Sequence, residues 1–169
     1  MTLYATLDSP LGELLLVGQE APGAPGGTAL VSLSVPGQKG GAVVQDGWRR
    51  APTAFAGIAA QLDAYFAGEL NRFDIGYAPG TPGTAFQRQV WAELDAVQYG
   101  TTVSYGEIAR RIGASSVKVR AVGTAIGRNP LLVVRPCHRV IGSDGSLKGY
   151  AGGLERKRVL LGLEGALAP

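Results

Sequence analysis

At 169 residues, 46% hydrophobic and 17% charged, the chain fits one large or two small globular domains, and no apolar run reaches the roughly 20 residues of a membrane span. Its single cysteine excludes an intrachain disulfide and a zinc site built on several cysteines, and a free thiol suits a reducing compartment such as the cytoplasm. The net charge of +3 hides an asymmetry: residues 1–80 carry four Lys/Arg against seven Asp/Glu, residues 81–169 twelve against six, so a polyanion partner is expected for the second half.

The opening Met1-Thr2-Leu3-Tyr4-Ala5 lacks a basic and apolar leader pattern, so no signal peptide is expected. The first third then reads as strands. Leu3–Leu7, Glu13–Val17 and Leu30–Val35 are short apolar or alternating runs, with Ser9-Pro10-Leu11-Gly12 as the hairpin turn between the first two. Residues 21–27 and 36–41 are Gly/Pro loops, and none of their glycines has P-loop or dinucleotide-fold spacing. From Pro52 to about Leu70 the period turns helical, with Phe55, Ile58, Leu62, Tyr65 and Phe66 on one face and Gly68 and Asn71 near the end. Asp74–Gly83 reads as a strand or extended arm running into a Pro/Gly linker. The expected domains are 1–79, a small sheet with a helix, and 80–169, mainly helical.

In the second half, Thr84 with Gln87 forms a capping box ahead of a helix through Val97, with Phe86, Val90, Leu94 and Val97 on its buried face. Ser104 with Glu107 forms a second box, starting a helix to about Ile112. Gly113-Ala114-Ser115-Ser116 is a turn, and Val117–Gly127 is a third helix with Lys118, Arg120 and Arg128 outside. Two short helices, a Gly-containing turn and a basic second helix make a helix-turn-helix pattern. Gly142–Gly153 is glycine-rich, which lets backbone approach a ligand closely. Leu154–Leu163 closes the chain as a helix, with Arg156, Lys157 and Arg158 expected outside and Glu164 at its end.

The chemistry concentrates in Pro136-Cys137-His138-Arg139-Val140, where the only cysteine and the only histidine are adjacent. A thiolate is a strong nucleophile, and a nearby imidazole is a common means of making one. Neighbouring residues seldom point the same way, so the pair matters only if the backbone or a water links them to one site. A buried, inert Cys beside a surface His is the bland alternative.

Assembled, these parts resemble the O6-alkylguanine-DNA alkyltransferases, also called methylated-DNA–protein-cysteine methyltransferases. The resemblance rests on Pro136-Cys137-His138-Arg139-Val140-Ile141, Ser104-Tyr105-Gly106-Glu107-Ile108-Ala109, Arg120-Ala121-Val122-Gly123, Asn129-Pro130 and Gly149-Tyr150-Ala151-Gly152-Gly153-Leu154, in family order. It implies a DNA repair protein that flips an O6-alkylguanine out of the duplex and moves the alkyl group to Cys137 once and irreversibly, with O4-alkylthymine as a further substrate. His138 would act as base through a water, oriented by Glu164, and Asn129 would bridge the recognition helix and the nucleophile turn. Tyr105 would donate to guanine N3 and help rotate the phosphate. Arg120 would fill the gap left by the base. The Cys137 carbonyl and the Val140 amide would read the exocyclic amine, the Ala151 amide would donate to O6, and Tyr150 would wall the pocket.

The family needs no cofactor or metal, and a cytoplasmic monomer meeting double-stranded DNA, with no membrane, is the implied setting. The weighed alternative is a non-catalytic alkyltransferase-like protein that binds DNA damage, whose scaffold carries another residue in place of the nucleophile. The chain departs from the pattern at Arg135, where an aliphatic residue is usual, and the segment from Tyr105 to Arg120 is one residue longer.

Overall fold

The computed structural model describes residues 1–78, 83–114 and 118–167. The chain forms two compact units, Met1–Thr81 and Pro82–Pro169. Most of the expected linker and the tip of the turn, at 79–82 and 115–117, lie outside the described residues.

The first unit is the expected small sheet with a helix. Strands β1 (Leu3–Ser9) and β2 (Gly12–Glu20) form an antiparallel hairpin paired from Leu3↔Gly18 to Ser9↔Gly12. Its turn is held locally: Leu11 N–H donates to Ser9 Oγ (3.1 Å), and Ser9 Oγ–H to Gly12 O (2.7 Å). Strand β3 (Thr28–Ser34) pairs antiparallel with β2. Two short parallel additions, β4 (Arg49–Arg50) on β1 and β5 (Gly76–Tyr77) on β3, give the order β4-β1-β2-β3-β5. The polar pair Arg49–Arg50 has no strand pattern, which is why β4 is invisible in the sequence.

Helix α1 runs Ala56–Phe66, preceded by a 3-10 turn at Pro52–Phe55, and buries Ile58, Leu62 and Tyr65 with Phe55. Phe66, expected on that face, is only half-buried. The helix stops short of Leu70 because Gly68 turns left-handed (φ +77°). Gly68 N–H then donates to Tyr65 O and Glu69 N–H to Ala64 O, closing the carbonyl end.

The second unit is mainly helical, built from α2 (Ala85–Asp95), α3 (Tyr105–Arg111), α4 (Val119–Gly127) and α5 (Leu154–Leu163). The Thr84/Gln87 box forms in both directions. Helix α2 ends two residues before the expected Val97. Trp91 joins Val90 and Leu94 on its buried face, while Phe86 is half-buried. The Ser104/Glu107 box is only half made. Ser104 Oγ caps Glu107 N–H (3.1 Å), but the Glu107 carboxylate turns to Arg110 and Arg111. Helices α3 and α4 pack as the expected helix pair. Helix α4 buries Val122, Ala125 and Ile126 and leaves Lys118, Arg120 and Arg128 exposed.

One short pairing positions the chemistry. Strand β6 (Val103–Ser104) leads directly into Tyr105, and β7 (Val140–Ile141) leaves directly from the cysteine turn. They pair in parallel, Val103↔Val140 and Ser104↔Ile141, which brings the start of α3 beside the nucleophile segment.

Candidate active site

Cys137 opens a 3-10 turn, Cys137–Arg139, reached through the fully buried run Leu131–Val134. Two three-residue turns shape this approach. Val134 N–H donates to Leu132 O (2.8 Å) across Val133, and Cys137 N–H to Arg135 O (2.7 Å) across Pro136. Val133 sits at φ +70°, a conformation that costs a β-branched residue on the order of 1–3 kcal/mol and persists only where the surroundings impose it. The imposing group is Asn129, just past α4. Its Nδ2 donates to Arg135 O (3.1 Å) and Leu131 O (3.4 Å), and its Oδ1 accepts from Leu131 N–H (3.0 Å).

Cys137 is nearly buried, yet it lines a pocket of about 1010 Å³ together with Tyr105, Arg120, Tyr150 and Ala151. Burial pushes its thiol up to about 11, against the pull of the Asn129 amide, Lys157 and Arg135. The resting sulfur is therefore a thiol that needs a base. Burial also raises the Tyr105 hydroxyl, with the cysteine beside it adding to the effect.

Behind the wall lies a charged cluster. His138 is fully buried, and its Nε2 meets Glu164 Oε2 at 2.7 Å. Arg139 holds the same carboxylate through Nε to Oε1 (2.7 Å) and Nη2 to Oε2 (3.1 Å), and donates to Val97 O (2.6 Å). Gly100 N–H adds a fourth contact to Glu164 (3.3 Å). With the carboxylate ionised, this pattern assigns the imidazole hydrogen to Nε2 and leaves Nδ1 a proton acceptor. His138 Nδ1 is buried and has no hydrogen-bond partner among the described residues. Burial lowers the histidine below its usual range and outweighs the pull of Glu164, so it rests neutral.

Glu164 itself is fixed by how α5 ends. It is the last near-helical residue. Gly165 follows at φ +70°, with Gly165 N–H donating to Gly162 O and Ala166 N–H to Leu161 O.

Of the residues expected from the sequence, five meet on the pocket wall: Tyr105, Arg120, Cys137, Tyr150 and Ala151. Asn129, His138 and Glu164 lie directly behind. Val140 differs from expectation. It does not line the pocket, its N–H donates to Cys137 O within the turn, and its carbonyl accepts from Lys157 Nζ (2.6 Å). Its amide is thus engaged, and an N–H donor is in any case the wrong partner for an exocyclic amine.

A model of the 6-O-methylguanine DNA methyltransferase DNA-binding domain matches residues 85–166, and one of that family's ribonuclease-like domain matches residues 2–78. The chain belongs to the methylated-DNA–protein-cysteine methyltransferase family. Proteins of that name from Mycolicibacterium paratuberculosis and Methanosarcina acetivorans are 48% and 46% identical to it, over 100% and 96% of this chain and 96% and 98% of theirs. The crystal structure of Mycobacterium tuberculosis OGT in complex with DNA superposes with TM-score 0.83 at 47% identity, covering 99% of this chain and 95% of that one.

Two residues of the candidate site were not anticipated. Arg139 is the partner that shares Glu164 with the histidine. Lys157, expected on the surface, is fully buried, and its ammonium donates to Val140 O (2.6 Å), Leu147 O (2.6 Å) and Gly149 O (3.0 Å). It clamps the glycine-rich loop onto β7, and burial lowers its own value to about 8. A signal was present: Lys157, Leu160, Leu161 and Glu164 follow the i, i+3, i+4, i+7 spacing of one helical face.

Proposed function

We propose that this protein repairs O6-alkylguanine in double-stranded DNA by accepting the alkyl group on Cys137. The observation that carries the reading is a pocket wide enough for a nucleobase with a nucleophile on its wall and a neutral, carboxylate-oriented imidazole behind it. The alkyl carbon of the damaged base is unreachable within the stack, so the base must leave the duplex. The thiol proton passes to His138 Nδ1 through a water. Sulfur then bonds the alkyl carbon as its bond to O6 breaks, and the proton held by His138 passes back through water to the departing guanine, which leaves in its neutral form. Tyr105 assists by donating to N3, and Arg120, exposed on α4, fills the gap in the stack. The thioether has no return path, so each molecule acts once.

On this reading residues 1–79 support a DNA-binding and acceptor domain at 80–169. Tyr150 walls the pocket, the Ala151 amide donates to O6, and O4-alkylthymine is accepted as well. The protein works as a cytoplasmic monomer. A non-catalytic damage-binding role is disfavoured by the cysteine itself.

The test is intact-protein mass spectrometry with peptide mapping after incubation with a duplex holding one O6-methylguanine. One methyl group on Cys137 is expected, and none on Cys137→Ser. No adduct, or an adduct that survives the substitution, overturns the proposal.

A further inference from the structure

Arg135 immediately precedes the Pro136-Cys137 pair, and the proposed chemistry gives it no role. Its surroundings do. Its carbonyl is the hinge of the nucleophile turn, accepting Cys137 N–H (2.7 Å) and Asn129 Nδ2 (3.1 Å). Its side chain, 10% exposed, runs to α2. There Nε meets Asp95 Oδ1 at 3.3 Å, and the guanidinium lies 5.3 Å from the centre of the Trp91 ring. Trp91 Nε1 in turn donates to Ala125 O of α4 (2.9 Å). The turn is therefore tied to α4 twice, directly by Asn129 and through α2 by Arg135 and Trp91.

We propose that Arg135 is a positioning residue for Cys137: it fastens the nucleophile turn to α2 and, balanced by Asp95, sets how much positive charge the sulfur meets. Asp95 closes α2, where the helix dipole also favours a cation. Burial raises the Asp95 carboxyl, and Arg135 opposes that rise, as two groups sharing a half-dry contact must. The other groups facing the sulfur are the uncharged Asn129 amide and Lys157 from α5, each of which acts on it more strongly than Arg135, and Tyr105 from α3. Lys157 is engaged by three carbonyls. The Arg135–Asp95 pair is the adjustable element, because Asp95 is 38% exposed and can be neutralised without opening the core.

A purely structural link and an electrostatic one differ in sign. The readout is the rate at which iodoacetamide alkylates Cys137, followed by mass spectrometry along the rising limb of its pH profile. This reaction needs no DNA, so its outcome stands apart from the repair activity. Arg135→Met should lower the rate at a given pH by about threefold, the effect of a thiol harder to ionise by about half a pH unit. Asp95→Asn, which keeps an acceptor for Arg135 but removes the charge, should raise it by a similar factor. Arg135→Lys should restore most of the loss. Both variants moving the same way, or neither moving, overturns the proposal. If circular dichroism shows Arg135→Met unfolded, Asp95→Asn decides alone: a faster reaction supports the proposal, and an unchanged or slower one refutes it.

Discussion

Replacing Lys157 by Met tests how the pocket is held together. Methionine keeps the length of the stem but brings no donor to Val140 O, Leu147 O and Gly149 O. The three losses are unequal. The Val140 contact is buried, whereas the other two are part-buried and sit on the glycine-rich loop, so their carbonyls reach water once the loop lifts. The stability cost is therefore set by one stranded buried carbonyl, about 2 kcal/mol, read as urea unfolding followed by tryptophan fluorescence. The functional cost is larger. The loop carries Tyr150 and Ala151 into the pocket, and a displacement on the order of 1 Å at a reacting centre costs up to about 100-fold in rate. Single-turnover transfer from an O6-methylguanine duplex should fall about tenfold to 100-fold. Duplex affinity should change by less than about threefold, because a wholly buried ammonium touches no phosphate. A parallel fall in affinity and rate would refute the clamp and assign Lys157 to DNA contact. Wild-type stability and rate would refute it outright.

Asn129→Ala removes all three hydrogen bonds that hold the strained approach, and should cost about 2 kcal/mol and slow transfer. Asn129→Asp should transfer more slowly still, because it sets a carboxylate against two carbonyl oxygens and beside the sulfur; equal or faster transfer would contradict that geometry. Glu164→Gln leaves the buried Arg139 charge without its counter-ion and should destabilise by about 3–5 kcal/mol in urea titrations, with much of the loss recovered when Arg139→Met is added. Arg120→Ala, at an exposed position, should leave stability within about 0.5 kcal/mol and lower the salt slope of duplex binding by about one. Its reaction with a free alkylated guanine should be unchanged; equal losses on duplex and free base would contradict a role in the DNA stack.

Much of this architecture is readable from the chain because local chemistry and tertiary packing agree there. The hairpin at Ser9–Gly12, the Thr84/Gln87 box and the apolar face of α1 all combine a periodic pattern with a specific turn or cap residue. The meeting of Tyr105, Arg120, Cys137, Tyr150 and Ala151 on one pocket is legible only through the family pattern, since no local rule pairs β6 with β7. What escaped were buried charges. Charged residues are almost never fully buried unless paired, so Lys157, Arg139 and Arg135 look like solvent-facing cations until their partners appear. Those partners are backbone carbonyls and distant carboxylates, and neither has a spacing along the chain. Glu107 failed for the opposite reason: Arg110 and Arg111, one turn on, compete for the carboxylate that would complete its capping box.

The charge balance around His138 decides how the nucleophile waits. A carboxylate beside an imidazole raises its proton affinity, and from the sequence alone Glu164 would favour a thiolate–imidazolium pair. The structure gives Glu164 a second claimant. Arg139 binds it through two nitrogens and also repels a proton on the histidine, and complete burial penalises the charged ring further. The result is a neutral base and a thiol held at about 11, so the sulfur rests protonated. The chain's only histidine makes this directly measurable, because its ring signals in a proton NMR titration belong to one residue. His138 should stay neutral below the ordinary value of about 6.5. Below that value the unfolded chain takes up a proton that the folded chain refuses, so stability should fall as pH drops through about 6.5. In Arg139→Met, Glu164 faces the histidine without a competing cation, and the titration midpoint should rise. A wild-type midpoint at or above 6.5 would mean that Glu164 outweighs burial, and a lower one in Arg139→Met would mean that Arg139 does not oppose the proton on the histidine.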